Sequence, residues 1–240
     1  MRKLITVFFA LAVTTASTLL LARPIRDDMA GRCTSFPAEN EIVPIDYIES
    51  TGTQYLNLLF KKSDVPDIVI EVRFSNCPFV SSYSYYNGLI GWCESSNGNT
   101  TGLKVASNGI LLSDGRNAAG ATVVEMTPPV DIVANLSSNG AKINGVEVPT
   151  YTMSIRYNAE EFPLGLFCFS ASTDGLPKGY ANGRGIGRGR CHYLRVYSGD
   201  TLVHNFQPVR IGSIGYMLDT VNGTLFPNQG TGSFVLGSDL

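Results

Sequence analysis

The chain has 240 residues and a net charge of −2, and only 16% of its residues are charged, against about a quarter in average proteins. This balance gives no general attraction to nucleic acid or to an acidic membrane surface. The 25 glycines and the 10% aromatic content favour one β domain with tight turns and a full core over a helical bundle.

The N-terminus carries a targeting signal. Arg2 and Lys3 precede an apolar run from Leu4 to Ala22, which Arg23-Pro24 ends. A basic start, an apolar run and small residues at its end are typical of a secretory signal peptide, so we predict one over 1–22. The run is also long enough to span a bilayer, which leaves an uncleaved anchor as the alternative. We expect a secreted or cell-surface protein whose membrane contact is limited to this segment.

A tether and then a folded domain are predicted after the signal. Residues 23–44 are polar and proline-bearing without periodicity, which is typical of a tether, and the folded domain is predicted over 45–240. Asp67 to Phe74 alternates, with Ile68 and Ile70 on the same face of the predicted strand as Val72 and Phe74. Further short strands are predicted over 88–93, 102–106, 109–112, 130–136 and 163–170.

Turn residues separate these strands at short intervals. Asn139-Gly140 and Asn144-Gly145 each predict a type I′ hairpin, because Asn-Gly tolerates positive φ at both central positions. Near the C-terminus, Leu194 and Val196 alternate with polar or aromatic residues, and the loop Ser198-Gly199-Asp200 leads into a return strand. No helical period follows the signal. The pattern predicts an all-β, antiparallel two-sheet sandwich.

Two segments resemble a known family. The segment Tyr47 to Leu58, YIESTGTQYLNL, and the closing fifty residues are similar to concanavalin A-like (laminin-G-like) jelly-roll domains of exported proteins from gut-associated bacteria and their phages. The matching elements are Tyr47 to Tyr55, Tyr197, Leu202-Val203, Phe206, Pro208, Gly215 to Asp219, Phe226, Asn228 and Gly230-Thr231-Gly232. The resemblance implies a jelly roll and assigns no activity. Asn57-Leu58 and His204-Asn205 depart from the common pattern.

The sequence contains no recognisable catalytic motif. Sandwich glucanases that resemble this fold use Glu-x-Asp-x-Glu on one strand, and no such triplet occurs here. His192 and His204 are the two histidines, and both fall in predicted closing strands without a Gly-x-Ser-x-Gly elbow. Arginines are concentrated in the stretch from Gly179 to Arg190, GYANGRGIGRGR. The stretch is too short to indicate nucleic-acid binding, and it predicts a loop. We therefore expect a protein that is not an enzyme.

An aromatic cluster is the candidate ligand site. Tyr83, Tyr85 and Tyr86 lie in a Ser/Asn-rich stretch, and Trp92 follows closely. Aromatic rings stack on the apolar faces of sugars, but the same residues are also suited to capping the core, so both interpretations stay open. No cofactor is predicted. The metal site is unknown, although Asp114 or Asp174 in glycine-rich turns would suit calcium.

Five cysteines raise the question of disulfides in an exported protein. An odd count leaves at least one unpaired, and Cys33, in the predicted tether, is our choice. The remaining four allow three pairings, of which nearness in sequence favours Cys77–Cys93 with Cys168–Cys191. Buried free thiols are the alternative. The absence of Cys-x-x-Cys argues against zinc.

These observations lead to one expected function and two alternatives. We expect an exported, non-catalytic binding or adhesion module with a glycan or other cell-surface polymer as partner. The first alternative is a structural subunit of a surface layer, fibre or appendage that self-associates. The second, a glycoside hydrolase, is disfavoured by the missing carboxylate triplet.

Overall fold

The computed structural model describes residues 41–79, 87–93, 100–114, 122–151, 153, 163–169 and 186–240. Within these ranges the chain is almost entirely β structure, apart from one turn of 3-10 helix at Lys62–Asp64. None of the described residues forms a helix long and apolar enough to cross a membrane.

The described residues form strands that we number in chain order. They are β1 (Ile42–Pro44), β2 (Ile48–Thr51), β3 (Leu56–Lys61), β4 (Ile68–Cys77), β5 (Asn87–Cys93), β6 (Thr100–Ala106), β7 (Gly109–Asp114), β8 (Thr122–Glu125), β9 (Val130–Ser137), β10 (Gly140–Ile143), β11 (Val146–Val148), β12 (Pro163–Leu166), β13 (Arg188–Ser198), β14 (Thr201–Ile211), β15 (Ile214–Asp219), β16 (Thr224–Pro227) and β17 (Val235–Leu236).

The strands form two antiparallel sheets. The larger sheet runs β11-β10-β9-β4-β13-β14-β15-β16, with β1 beside β14 and with β2 paired to both β13 and β17. The smaller sheet runs β3-β12-β5-β6-β7-β8. Buried side chains from both sheets belong to one hydrophobic cluster. The fold is therefore a β-sandwich, as the sequence predicts.

Alternation predicts the inner faces of the central strands correctly. The predicted inner residues of β4 are at most 1% exposed, and they are Ile68, Ile70, Val72 and Phe74. In β13, Leu194 and Val196 are fully buried while Arg195 is half-buried. These side chains stabilise the sandwich because about 25 cal/mol is gained per Å² of apolar surface removed from water.

Both predicted Asn-Gly hairpins form, and at the second one Asn-Gly occupies the two central turn positions. Ile143 pairs with Val146, and Asn144 and Gly145 have φ of 49° and 84°, as a type I′ turn requires. The Asn139-Gly140 prediction is wrong by one residue, because Gly140 already pairs with Ser137. There the Ser137 hydroxyl accepts a hydrogen bond from the Asn139 amide at 3.2 Å, which sets a Ser-initiated turn instead.

The predicted tether extends too far. Its last three residues form β1, which pairs with β14 through Ile42↔Ile211 and Pro44↔Val209. Proline is tolerated in β1 because this strand pairs on one side only within the described sheet. The folded part thus begins before residue 45.

A buried carboxylate anchors the hairpin β14–β15. Asp219, whose side chain is 2% exposed, lies 2.8 Å from Nδ1 of His204 and accepts hydrogen bonds from the Asn205 and Val221 amides. Burial acts to raise the pKa of Asp219, but the hydrogen bonds from His204, Asn205 and Asn222 outweigh it and hold the pKa below its ordinary value. His204, one of the residues that depart from the resembled pattern, is thus a member of this hydrogen-bonded network.

Asp219→Ala should lower the free energy of unfolding by about 1–3 kcal/mol, because the Asn205 and Val221 amides and the His204 and Asn222 side chains lose a buried acceptor. Asp239→Ala, which removes an exposed pair with Arg210 at 2.6 Å, should cost much less. Because the folded-state pKa of Asp219 is depressed, its contribution is present above the unfolded pKa of about 3.9 and is lost as pH falls through the folded value. Urea unfolding of both variants between pH 7 and 3 measures this. A loss at Asp219 that is no larger than at Asp239 would contradict the network.

Candidate functional site

Only one member of the predicted aromatic site falls within the described structure. Tyr83, Tyr85 and Tyr86 lie outside the described residues. Trp92 lies in β5 with 0% exposure, and its Nε1 has no hydrogen-bond partner in the described part of the chain. Trp92 is therefore removed from the ligand-binding set, because its ring is packed in the core and has no exposed face for a ligand.

Three of the cysteines are buried free thiols in the structure. Cys77, Cys168 and Cys191 are unbonded, so neither Cys77–Cys93 nor Cys168–Cys191 is formed in the structure. The physical reason for burial is apolar packing: each thiol is 0% exposed and belongs to the hydrophobic cluster. Burial is also the main cause that raises the pKa of all three. Cys33 lies outside the described residues.

The structure describes no coordinating geometry for either calcium candidate. Asp114 ends β7, and Asp174 lies outside the described residues. Among the residues that are described, no three His, Cys, Asp or Glu side chains are grouped in a way that would hold a metal ion.

The structure shows a cleft that the sequence did not predict. It has a volume of about 600 Å³ and lies where three neighbouring strands of the larger sheet, β9, β4 and β13, meet the connection from β8 to β9. The residues that line it are Ser75, Asn76, Met126, Thr127, Pro129, Val130, Asp131 and Arg190. The cleft is open to solvent over most of its surface.

Two β-bulges supply the polar side chains beside this cleft. The register of β4 against β9 shifts between Phe74 and Cys77, and Asn76 has φ of 51°. As a result Ser75 and Asn76, which are consecutive, are both turned away from the core, and Cys77 is buried again. The register of β13 against β4 shifts between Cys191 and Tyr193, so His192 is the extra residue. Bulges of this kind re-aim side chains next to functional sites.

The two bulges bring a serine, a histidine and an aspartate into one hydrogen-bonded chain. Ser75 Oγ lies 2.8 Å from Nε2 of His192, and Nδ1 of the same ring lies 3.0 Å from Oδ1 of Asp46. An ionised carboxylate only accepts hydrogen bonds, so Nδ1 carries the proton. In the neutral ring Nε2 is then the acceptor, and the Ser75 hydroxyl donates to it.

Tyr47 and Arg190 pack around this chain. The Tyr47 ring contacts the His192 ring edge-on, with 5.7 Å between centroids, and the Arg190 guanidinium lies 4.6 Å from the Tyr47 ring centroid. Arg190 Nε also donates to Glu49 Oε2 at 2.9 Å, and this hydrogen bond is the main cause that raises the pKa of Arg190. The guanidinium is thus held in place and charged at the edge of the cleft.

The opposite wall is fixed by Asp131. Its Oδ1 accepts a hydrogen bond from the Asn76 backbone amide at 2.9 Å, which satisfies the amide that the bulge releases from the strand ladder. Asp131 lines the cleft together with Asn76 and Arg190. The cleft is therefore bordered by an anionic and a cationic group that are both anchored to the backbone or to a partner side chain.

A second polar row continues along the outer face of β13. Arg195 donates to Glu71 at 3.1 Å and lies 4.7 Å from the ring centroid of Tyr193. The Tyr197 hydroxyl donates to the same carboxylate at 3.4 Å. Burial is the main cause that raises the pKa of Tyr193. The outer face thus carries aromatic rings, as the alternation of β13 predicts. Nothing in the sequence marks these rings as a ligand surface.

Sequence reasoning missed this site for identifiable reasons. The sequence places His192 in a predicted closing strand without a catalytic motif, and it predicts a loop at Arg190. A signal was present at Ser75-Asn76-Cys77, where the alternation of β4 breaks at an asparagine, a residue that tolerates positive φ. Its partners could not be inferred, because they come from β13 and from the segment before β2.

Trp92→Ala should lower the free energy of unfolding by about 3–5 kcal/mol, because a large buried ring is replaced by a cavity. Trp92→Phe should cost less, since it keeps most of the ring and removes a buried donor that has no partner. Urea unfolding of both variants measures the difference. A Trp92→Ala protein of unchanged stability would contradict the core position.

The thiols of Cys77, Cys168 and Cys191 should resist iodoacetamide in the folded protein, because burial keeps them protonated and inaccessible. After unfolding in urea without reductant, all three should become alkylated, as peptide mass spectrometry would show. Peptides that stay unmodified until a reductant is added would indicate disulfides and overturn the assignment as free thiols.

The function of the cleft is interpreted from its own chemistry. It offers a carboxylate and a guanidinium for hydrogen bonding, apolar side chains for van der Waals contact, and a hydroxyl hydrogen-bonded to an imidazole. No family model, curated protein or solved structure matches this chain.

Proposed function

We propose that this protein is an exported binding or adhesion module and that carbohydrate is its ligand class. The observation that carries the proposal is the cleft of about 600 Å³ beside Ser75, Asp131 and Arg190. Its polar groups are held in position before any ligand arrives, which reduces the entropy that binding must overcome.

The lining of the cleft suits the mixed surface of a sugar. Sugar hydroxyls both donate and accept hydrogen bonds, so a site that combines an acceptor, Asp131, with a donor, Arg190, can engage neighbouring hydroxyls. Apolar side chains from the connection into β9, among them Met126 and Pro129, provide surface for the C–H faces of the ring.

The outer face of β13 supports the same ligand class. Tyr193 and Tyr197 are half-buried there and are held by the Glu71–Arg195 pair. A fixed aromatic ring offers a flat apolar surface at little cost in side-chain entropy. A chain of sugars longer than the cleft would find these rings on the same sheet.

Binding fits the cleft better than glycoside hydrolysis. Glycosidases place two carboxyl groups across the scissile bond, about 5–9.5 Å apart. Among the described residues that line the cleft, Asp131 alone carries a carboxylate, and one of its oxygens is hydrogen-bonded to the Asn76 amide. This supports a module that does not cleave glycosidic bonds.

The fold and the localisation are parts of the same proposal. The strand order, in which β4 lies beside β13 and β12 lies between β3 and β5, contains the non-sequential antiparallel neighbours of a Greek-key sandwich. We infer a jelly roll of the concanavalin A-like type. Export is supported by the basic and apolar residues of the N-terminus, from Arg2 to Ala22.

Binding of the purified protein to arrays of host and bacterial glycans, and to insoluble polysaccharides, tests the proposal. Arg190→Ala should weaken glycan binding at least tenfold, because it removes a fixed donor from the cleft. Arg210→Ala is the matched control, since Arg210 pairs with Asp239 and does not line the cleft, and it should bind as the wild type does.

Two outcomes would contradict the carbohydrate proposal. The first is silence across all the glycans, and the second is equal binding by wild type and the Arg190→Ala variant. Discrete oligomers on size-exclusion chromatography without any glycan binding would favour the structural subunit instead.

A further inference from the structure

We propose that Ser75 is a nucleophile and that this cleft hydrolyses carboxylic esters. Binding of a sugar requires hydrogen bonds and van der Waals contact. It does not require a serine that is hydrogen-bonded to a histidine, which is hydrogen-bonded in turn to a carboxylate. The inference therefore goes beyond the proposed binding role. It is carried by the Ser75–His192–Asp46 chain at the edge of the cleft.

The distances meet the requirements of nucleophilic catalysis. Proton transfer needs the nucleophile and its base within about 2.6–3.2 Å, and the base is oriented by a third group. Ser75 Oγ to His192 Nε2 is 2.8 Å, and His192 Nδ1 to Asp46 Oδ1 is 3.0 Å. The ring nitrogens are used in the order that base catalysis needs, with Nδ1 fixed by the carboxylate and Nε2 facing the hydroxyl.

The surroundings separate the base from solvent and open the nucleophile to the cleft. The His192 side chain is 9% exposed and is contacted edge-on by Tyr47, whereas Ser75 lines the cleft. The Asp46 side chain is 45% exposed and reaches the ring from the segment before β2. Asp46 thus serves as a positioning residue that acts through His192.

Two donor side chains line the same cleft as Ser75. They belong to Arg190 and Asn76, and Asn76 follows Ser75 directly in the chain. Guanidinium and amide groups stabilise the negative oxygen that forms when a carbonyl is attacked. Because Arg190 is held by Glu49, this positive charge is in place before the reaction.

The reaction balances with an ester and water as its reactants. The Ser75 oxygen attacks the ester carbonyl while His192 Nε2 takes the hydroxyl proton, and the same proton passes to the alcohol as the ester C–O bond breaks. Water then attacks the acyl-Ser75 carbonyl, with His192 Nε2 again removing a proton. That proton returns to Ser75 Oγ as the carboxylic acid leaves, and nothing is oxidised or reduced.

The experiment uses an active-site-directed fluorophosphonate on the full chain. Ser75 Oγ should displace fluoride and keep the phosphonyl group, which adds a defined mass to the Ser75 peptide. Ser75→Ala should lose this adduct while keeping its circular-dichroism spectrum. Ser198→Ala is the matched control, because Ser198 lies on β13, donates to Pro66 O at 2.7 Å and takes no part in the chain. It should label at the wild-type rate.

Hydrolysis of p-nitrophenyl acetate gives the second readout. His192→Asn should lower the Ser75-dependent rate by about 100-fold or more, the usual contribution of a general base. Asp46→Asn should also lower it, and it should move the ¹⁵N shifts of the His192 ring, because an amide can donate to Nδ1 and favour the other tautomer. A merely structural Asp46 would change stability and leave the Ser75-dependent rate of the folded variant unchanged, even though the tautomer shifts.

Three results would overturn the inference. They are the absence of a Ser75 adduct on folded wild-type protein, labelling that is unaffected in Ser75→Ala, and ester hydrolysis that is equal in wild type and His192→Asn. None of these readouts depends on a sugar. A failure of glycan binding would therefore leave this test intact, and a failure here would leave the binding proposal untouched.

Discussion

β4 and β13 lie side by side in the middle of the larger sheet, although β5 to β12 separate them in sequence. On the inner face this pair buries Phe74, Leu194 and Val196 completely. A slip of one residue would turn these apolar side chains outward and the polar ones inward, so the core fixes the register. Because the register is fixed inside, the outer contact between Ser75 and His192 is fixed as well.

The sequence predicts the faces of these strands and misses their irregularities, for a physical reason. Burial imposes a period of two on β4, β9 and β13, and a period is visible in the residues themselves. A bulge adds one residue, and its stability depends on groups from other strands. The bulge at Asn76 is satisfied by Asp131 of β9, a partner that no local pattern identifies.

The arginine-glycine segment shows the same limit. Alternating Gly and Arg predicted a loop, yet Arg188 to Arg190 begin β13 and pair with β2 and β4. Gly189 is required there because a Cβ would lie 2.6 Å from the sulfur of Cys77. Glycine therefore marks a close approach within the sheet rather than a turn. Trp92 is a similar case, since composition does not distinguish a ring on the rim from a ring in the core.

Stability alone gives little reason for the arrangement beside the cleft. A hydrogen bond contributes only about 1 kcal/mol of net stability, and the Asp46 side chain that accepts this one is 45% exposed. The two bulges meanwhile interrupt the hydrogen-bond ladder between the most central strands. A regular pairing would keep those ladder bonds and the same buried faces. Proteins depart from local regularity mainly at functional sites. The departure in β4 and β13 turns Ser75 and Asn76 outward into the cleft and places His192 within hydrogen-bond distance of Ser75.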